Sequence, residues 1–424
     1  MNSSNQTGMT TEDIRSNPML SDLSYIFHML IASSLLFIQA SLLHPCFAKN
    51  KLAKYVRIGL TPINFFLFIS QPFRRSSRLP ESYDTFAQMG WYSNSIMFAT
   101  FALDFGFANE AYYKRPLENS QGIYQWKKIT DQDELKRLKK SQENESLNFS
   151  DLFFWTLSVT TSFRGLQFNW GHKKKANNQT VQQMVSRVIK VAIPLALAGL
   201  VIIQTHRSPL KTPISALNSI GIPNLWGLSL ISEWAHRFCF GVFLSSSMDL
   251  QYTVLTILLH YLHQYLIKFD LSKDLLELIN PVYYPPLFDS PHLASSLNDL
   301  WSNRWHANLK RSFLVLGGRP TFWFFNQILG FNFNISRIGG LVGTFVASGI
   351  LHEYVVFALL YPSKPLNHLF DQFPAQSIGI IIESFIPKKF SKLFCWPFVL
   401  CTSKVFVDRY LIDAKILDLS LNFK

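Results

Sequence analysis

Two ionisable residues stand side by side within one long apolar run of the sequence. His352 and Glu353 fall in residues 338–361, "IGGLVGTFVASGILHEYVVFALLY". Ionisable side chains are costly at membrane depth, so this pair indicates a functional site by default. The alternative is that His352 is a packing element that hydrogen-bonds a neighbouring helix, because polar residues also hold helices together in membranes.

A second polar cluster lies upstream, in residues 300–313, "LWSNRWHANLKRSF". It contains Asn303, Arg304, Trp305, His306, Lys310 and Arg311. An amphipathic helix in the membrane interface would account for the tryptophans and the cations. Lysine and arginine side chains can reach lipid headgroups without a histidine beside them, so an interfacial helix does not account for His306. His306 is therefore a second candidate acid/base group.

These residue types fit acyl transfer to an alcohol. A histidine poised near neutral pH can take the proton of an alcohol as its oxygen attacks an acyl carbonyl. A second polar group can hold the carbonyl or the developing oxyanion. The sequence has no GxSxG, HExxH, Walker or dinucleotide GxGxxG motif, which argues against a serine hydrolase or a zinc protease. We interpret the pair His260 and His263 as structural, and no metal is expected.

The elements that position these residues are membrane helices. Of the 424 residues 48% are hydrophobic and only 16% are charged, against about 25% in soluble proteins. Residues 25–43 carry no formal charge and are long enough to cross a bilayer. Further candidate spans are residues 58–73, 88–108, 188–204, 224–246, 251–267, 313–333, 338–361 and 376–407, the last with room for two short helices. We predict an all-α polytopic bundle of roughly eight to ten transmembrane helices around a central tunnel or cavity.

The organisation is that of one integral domain, residues 25–424, behind a polar tail, residues 1–24. Residues 109–150 form an aqueous loop that contains the helix-compatible run "DQDELKRLKK", and its cations favour the cytosolic side. The same rule puts the amino terminus in the lumen, with its N-x-[ST] sites at Asn2 and Asn5.

The formal net charge of +13 does not indicate nucleic acid, because the basic residues form short blocks beside the spans. Blocks at residues 49–57, 74–78 and 173–175 are typical of topology signals and of contacts with anionic membrane lipids. The four cysteines are scattered, without CxxC spacing, and predict neither a disulfide framework nor a zinc site.

Four segments resemble motifs of the membrane-bound O-acyltransferases, in particular the wax-synthase-like branch that includes fungal O-acetyltransferases of terpenoid and related secondary metabolism. The segments are "SFRGLQFNW" (162–170), "YYPPLFDSP" (283–291), "LWSNRWHANLKRSF" (300–313) and "ASGILHEYV" (347–355). Leu300 departs from the usual aromatic residue, and Ser302-Asn303 replaces a small and a basic residue. These departures bear on the choice of acyl group and acceptor rather than on the fold.

The resemblance implies that His352 is the catalytic histidine and that His306 is the second active-site polar residue. It implies an acyl-CoA co-substrate, for which we favour acetyl-CoA, and a hydrophobic alcohol such as a terpenoid that enters from the bilayer. We expect Asn303, Arg304, Trp305, Glu353 and Arg164 to support the site, and Lys310 and Arg311 to bind CoA phosphates. We further expect a multi-pass protein of the endoplasmic reticulum.

Two alternatives remain open from the sequence. Long-chain wax-ester synthesis uses the same chemistry with a fatty alcohol and a fatty acyl-CoA. A proton-coupled transporter would use the intramembrane His-Glu pair as a proton relay. No inverted repeat is apparent, and the amino-terminal half does not mirror the polar block at Asn303 to His306.

Overall fold

The computed structural model of the protein describes residues 18–74, 85–127, 131–146, 148–171, 175–269, 271–305, 308–360 and 369–413. Asn2, Asn5 and His306 lie outside these residues. The described residues form mostly helices, with one two-stranded hairpin and one isolated bridge between Lys114 and Phe168, which confirms the predicted all-α class.

Thirteen helices organise the described part of the chain, and we number them in chain order. They are α1 (Pro18–Ser41), α2 (Lys51–Ile69), α3 (Thr85–Phe107), α4 (Gln132–Glu143), α5 (Phe149–Thr161), α6 (Val181–Arg207), α7 (Pro213–Ser219), α8 (Leu228–Leu266), α9 (Lys273–Ile279), α10 (Phe333–Leu360), α11 (Leu369–Glu383), α12 (Lys388–Thr402) and α13 (Lys404–Asp408). Single turns of helix lie between several of them, at Pro45–Phe47, Gln71–Arg74, Pro281–Tyr283 and Pro291–Leu293.

Five of the described helices are long and apolar enough to cross a membrane: the Ser24–Ser41 part of α1, then α2, α6, α8 and α10. The pair α12 and α13, bent by 41° at Ser403, makes up to six. This number is lower than the eight to ten expected, partly because the two spans predicted at 224–246 and 251–267 are one continuous helix. That helix, α8, has 39 residues and is about 58 Å long at 1.5 Å per residue.

The segment between residues 297 and 328, which includes most of the span predicted at 313–333, is not a regular helix. Short α-helical turns alternate with π-helical turns at Leu300–Arg304, Leu314–Gly318 and Phe324–Ile328. This irregular segment packs closely on α10. A Cβ atom on Gly317 would lie 1.9 Å from the carbonyl oxygen of Gly343, so only glycine allows this approach of the two backbones.

The hydrophilic region at residues 109–150 contains α4 where the helix-compatible run predicted one, and none of the residues of α4 is buried. It also contains a hairpin of β1 (Leu117–Ser120) and β2 (Ile123–Trp126), which the sequence analysis did not predict. The connecting residues Gln121 and Gly122 both have positive φ, as a two-residue primed turn requires. The hairpin is tied to the start of α6, since the backbone of Tyr124 exchanges two hydrogen bonds with the side chain of Asn178, at 2.7 and 2.9 Å.

Two packed units set the position of the site. In the first unit, helices α1, α2, α3 and α5 enclose an aromatic core that includes Phe101, Phe105 and Trp155. In the second unit, α6 packs against α8, and α10 to α13 lie beside this pair of helices. Its core joins Ile202 of α6 to Val356 of α10. The site lies in this second unit.

Candidate active site

A cavity of about 970 Å³ lies between α6 and α8 on one side and α10 to α13 on the other. This volume is at the upper end of the range for small-molecule sites. One face of the first turns of α6 is polar along the cavity, with Gln182, Gln183, Ser186, Arg187 and Lys190. The lining then becomes apolar and aromatic, with Phe238, Phe288, Trp301, Trp305, Phe373, Trp396 and Phe406.

His352 lies in the wall of this cavity. Its ring is stacked on Phe373, with the ring centroids 4.5 Å apart and the planes within 1° of parallel. Phe406 meets the same ring edge to face at 5.4 Å. The Nδ1 atom lies 3.0 Å from the hydroxyl oxygen of Tyr410. The predicted catalytic histidine is therefore an oriented ring in an aromatic part of the cavity wall.

Glu353 is turned into the protein and does not line the cavity. Its Oε1 atom lies 3.3 Å from Nη2 of Arg409, and both side chains are more than nine-tenths buried. The pair joins α10 to the π-helical turn Arg409–Asp413. These contacts are those of a structural ion pair, and the support that Glu353 gives the site is indirect.

The predicted cluster at residues 303–306 is divided by the structure. Trp305 lines the cavity and contacts Phe288 and Trp301 edge to face, at 5.3 and 5.7 Å. Asn303 is exposed and donates to Asp299 at 3.2 Å, away from the cavity. Arg304 donates to Asp299 at 2.6 Å and to the carbonyl of Asp289 at 3.1 Å. Asn303 and Arg304 therefore brace the chain that presents Trp305.

Arg164 also has a bracing role. Its guanidinium donates to the carbonyl oxygens of Pro285 and Pro286, at 2.5 and 3.2 Å, and to the hydroxyl of Tyr252. The side chain is buried. Arg164 thus holds the Pro-Pro turn against α8. Its influence on the cavity is indirect, because the cavity-lining Phe288 follows that turn in the chain.

The position of Arg311 does not fit the prediction that this residue binds CoA phosphates. It is buried, its Nε donates to Asp104 of α3 at 2.6 Å, and its guanidinium lies 3.4 Å from the centre of the Trp170 ring. A guanidinium enclosed by a carboxylate and aromatic rings is not positioned for a phosphate at a cavity mouth. Lys310 is half-buried and is not among the described residues that line the cavity.

The sequence analysis missed four residues that line the cavity or contact its wall. Arg187 of α6 donates from Nε to Asp249 of α8 at 2.9 Å, and Lys190 lies one turn further along α6. A carboxylate in the middle of an apolar helix, as at Asp249, is a signal that sequence reading could have used. Tyr410 had no such signal, because its role depends on the bend at Ser403 that turns it towards His352.

Part of this chain is similar to a known protein family. Residues 284–370 match the model of the Membrane bound O-acyl transferase family. The match covers about a fifth of the chain, and it includes the cluster at 300–313 and the helix that carries His352. It confirms the resemblance at family level for this segment, whereas the similar segment at 162–170 lies outside it.

Two relatives from Arabidopsis thaliana carry the names of known or probable acyltransferases. Acyl-CoA–sterol O-acyltransferase 1 of Arabidopsis thaliana is 39% identical over 72 residues, which is 17% of this chain and 20% of that protein. The probable long-chain-alcohol O-fatty-acyltransferase 7 of the same organism is 32% identical over 102 residues, 23% of this chain and 30% of that protein. The chain therefore spans less than a third of the length of these relatives.

Proposed function

We propose that this protein is a membrane O-acyltransferase that transfers an acyl group from acyl-CoA to a hydroxyl of a hydrophobic alcohol. The observation that carries the proposal is the position of His352, on a helix able to cross a membrane and in the wall of a cavity of about 970 Å³. The match of residues 284–370 to an acyltransferase family supports it.

The mechanism is direct transfer. With Nδ1 engaged by Tyr410, Nε2 is the ring nitrogen that we assign to the acceptor hydroxyl. Nε2 takes the hydroxyl proton as the alcohol oxygen bonds to the thioester carbonyl carbon; the carbon–sulfur bond then breaks, and the thiolate of CoA takes the proton back from the imidazolium. The aromatic wall of Phe373, Phe406 and Trp305 excludes water from this exchange, which favours acyl transfer over hydrolysis.

His306 is the second active-site residue of the proposal, with the role of orienting the donor carbonyl or assisting the leaving thiolate. It lies outside the described residues. Its neighbour Trp305 lines the cavity, which supports this assignment.

The CoA moiety enters from the side of the 109–150 loop. The hairpin of that loop contacts Asn178 at the start of α6, and the adjoining turns of α6 give the cavity its polar lining. Since the loop is predicted to be cytosolic, this end of the cavity faces the compartment that holds acyl-CoA. Lys190, which is exposed and has no ion-pair partner among the described residues, takes the place of Arg311 as the proposed phosphate contact.

For the substrates we propose acetyl-CoA and a hydroxyl of a hydrophobic secondary metabolite such as a terpenoid, in the endoplasmic reticulum. The motif resemblance to fungal O-acetyltransferases supports this choice. Long-chain wax-ester synthesis is the second candidate, because one of the two relatives named above carries the name of a probable long-chain-alcohol O-fatty-acyltransferase.

The experiment is acyl transfer in microsomes that contain the expressed protein. Radiolabelled acetyl-CoA and palmitoyl-CoA are each supplied with a terpenoid alcohol, a sterol and a fatty alcohol, and esters are separated by chromatography. Ester formation above that of empty-vector microsomes is expected, with acetyl ester of the terpenoid the largest product. Palmitoyl esters alone would favour the second candidate, and the absence of any ester with every pair would contradict the proposed function.

A further inference from the structure

The hydroxyl of Tyr410 contacts the His352 ring at Nδ1, and Tyr410 is not among the described residues that line the cavity. Its oxygen is 3.0 Å from Nδ1, and the side chain is 3% exposed. The tyrosine ring belongs to a buried cluster with Ile202, Phe240 and Val356. Tyr410 is therefore fixed by packing, and its oxygen is held at a constant position relative to the imidazole.

Three contacts from three elements define the orientation of the His352 ring. Phe373 of α11 covers one face, Phe406 of α13 meets an edge, and Tyr410 of the following π-helical turn binds a nitrogen. The aromatic contacts fix the plane of the ring but do not distinguish its two nitrogens. Tyr410 contacts Nδ1, and the direction of that hydrogen bond sets which nitrogen of the ring carries the proton.

The turn that carries Tyr410 is itself held in register. The residues next to this pair, Glu353 on α10 and Arg409 on the turn, form the buried ion pair described above. Adjacent residues of one element thus contact adjacent residues of the other. This ion pair fixes the turn relative to α10, and the phenol oxygen of Tyr410 is a polar contact that the turn offers His352.

We propose that Tyr410 is a positioning residue whose oxygen accepts the Nδ1–H of His352 and thereby keeps the basic lone pair on Nε2. The inference rests on the proposed function. When Nε2 takes the proton of the acceptor alcohol, both ring nitrogens carry hydrogen, and the bond from Nδ1–H to the phenol oxygen becomes charge-assisted. The proton moves from the alcohol to Nε2 and from there to the thiolate, and Tyr410 itself neither gains nor loses one.

The test is Tyr410→Phe in the microsomal assay, with Tyr354→Phe as the matched control. Tyr354 lies on the same helix as His352 and donates instead to the carbonyl of Ile69 at 2.9 Å. Tyr410→Phe is expected to lower kcat by about 10-fold or more with KM for both substrates unchanged, because a misplaced proton affects the chemical step. Tyr354→Phe is expected to keep the kcat and KM of the original protein.

The pH profile separates positioning from a merely structural effect. An oxygen that accepts from the imidazolium favours the protonated ring, so its loss should move the acid limb of the kcat profile to lower pH. If Tyr410 instead donated to Nδ1, it would favour the neutral ring, and its loss would move the limb to higher pH. Movement to higher pH, or an unchanged kcat and profile, would overturn the inference.

A second variant tests the same inference if Tyr410→Phe folds poorly. Incorporation of 3-fluorotyrosine at position 410 keeps the ring and its packing but weakens the oxygen as an acceptor. A smaller loss of kcat with the same direction of pH shift is expected, and no change would count against the inference. Failure of the proposed function is seen separately, as activity that survives removal of the His352 imidazole.

Discussion

Glu353 and Arg409 form an ion pair more than nine-tenths buried, with Oε1 of the first 3.3 Å from Nη2 of the second. Each residue adjoins one member of the contact between His352 and Tyr410. The pair therefore joins the helix of the proposed base to the turn that orients it. Glu353, which the sequence analysis expected to support the site, does so indirectly, through its ion pair with Arg409.

Glu353→Gln should destabilise the protein strongly, because it removes the carboxylate charge that pairs with the buried Arg409. Breaking a buried pair in this way costs about 3–5 kcal/mol. The measurement is the temperature at which the detergent-solubilised protein is lost from the monodisperse size-exclusion peak. Asp133→Asn removes the exposed pair of Asp133 with Lys136 and should cost less than about 1 kcal/mol. Equal losses for the two variants would contradict a buried pair.

Arg311→Met tests whether Arg311 stabilises the fold or binds CoA. Because its guanidinium is enclosed by Asp104 and aromatic rings, we expect less folded protein, and an unchanged KM for acyl-CoA in the fraction that folds. Asp104→Asn should have the same phenotype, since it breaks the same pair. A several-fold rise in KM with Arg311→Met and none with Asp104→Asn would restore Arg311 to the CoA site.

Lys190→Ala tests the mouth of the cavity. Loss of one charge-assisted hydrogen bond to a phosphate should raise the KM for acyl-CoA by about 10-fold with kcat nearly unchanged. Lys388→Ala is the control, because Lys388 is exposed on α12 and does not appear in the cavity lining. Equal KM values for the two variants would show that the phosphates bind elsewhere.

The sequence was sufficient for the membrane-helix class and for the choice of His352, because both follow from local composition and from an ionisable residue in an apolar run. It was less reliable for span boundaries. Residues 247–250, "SMDL", look like a break between two spans but continue α8, since Asp249 is paired with Arg187 of the neighbouring helix. The hydropathy of residues 247–250 does not show that Asp249 pairs with Arg187, which is 62 residues away in the sequence.

The roles of the arginines depended on tertiary contacts in the same way. Arg164, Arg304 and Arg311 all lie in or beside recognisable motifs, yet their donors are taken up by carbonyl groups, Asp299 and Asp104. Partners far away in sequence, as Asp104 is from Arg311, cannot be read from spacing. The one hairpin was missed because its strands have four residues each and lie in a charged loop.

His44, between α1 and α2, should give the protein a measurable pH dependence. Burial lowers the pKa of His44 to about 4; Asp274 raises it and Lys114 lowers it by smaller amounts. The unfolded chain, with a value near 6.5, binds the proton more readily, so the stability from neutral His44 is complete above pH 6.5 and is lost as the pH falls towards 4. His44→Asn keeps a side-chain acceptor for the amide of Cys46 and should lose less stability between pH 7 and pH 4. Parallel melting temperatures over this range would contradict the assignment.

The most direct test of the account is the activity of His352→Ala in microsomes, measured with the acyl-CoA and alcohol pair that gives the largest ester product. The variant should accumulate and remain monodisperse in detergent, since His352 is half-buried at a cavity wall, and its ester formation should fall to the empty-vector level. Ester formation by His352→Ala at the rate of the original protein would contradict the assignment of His352 as the base.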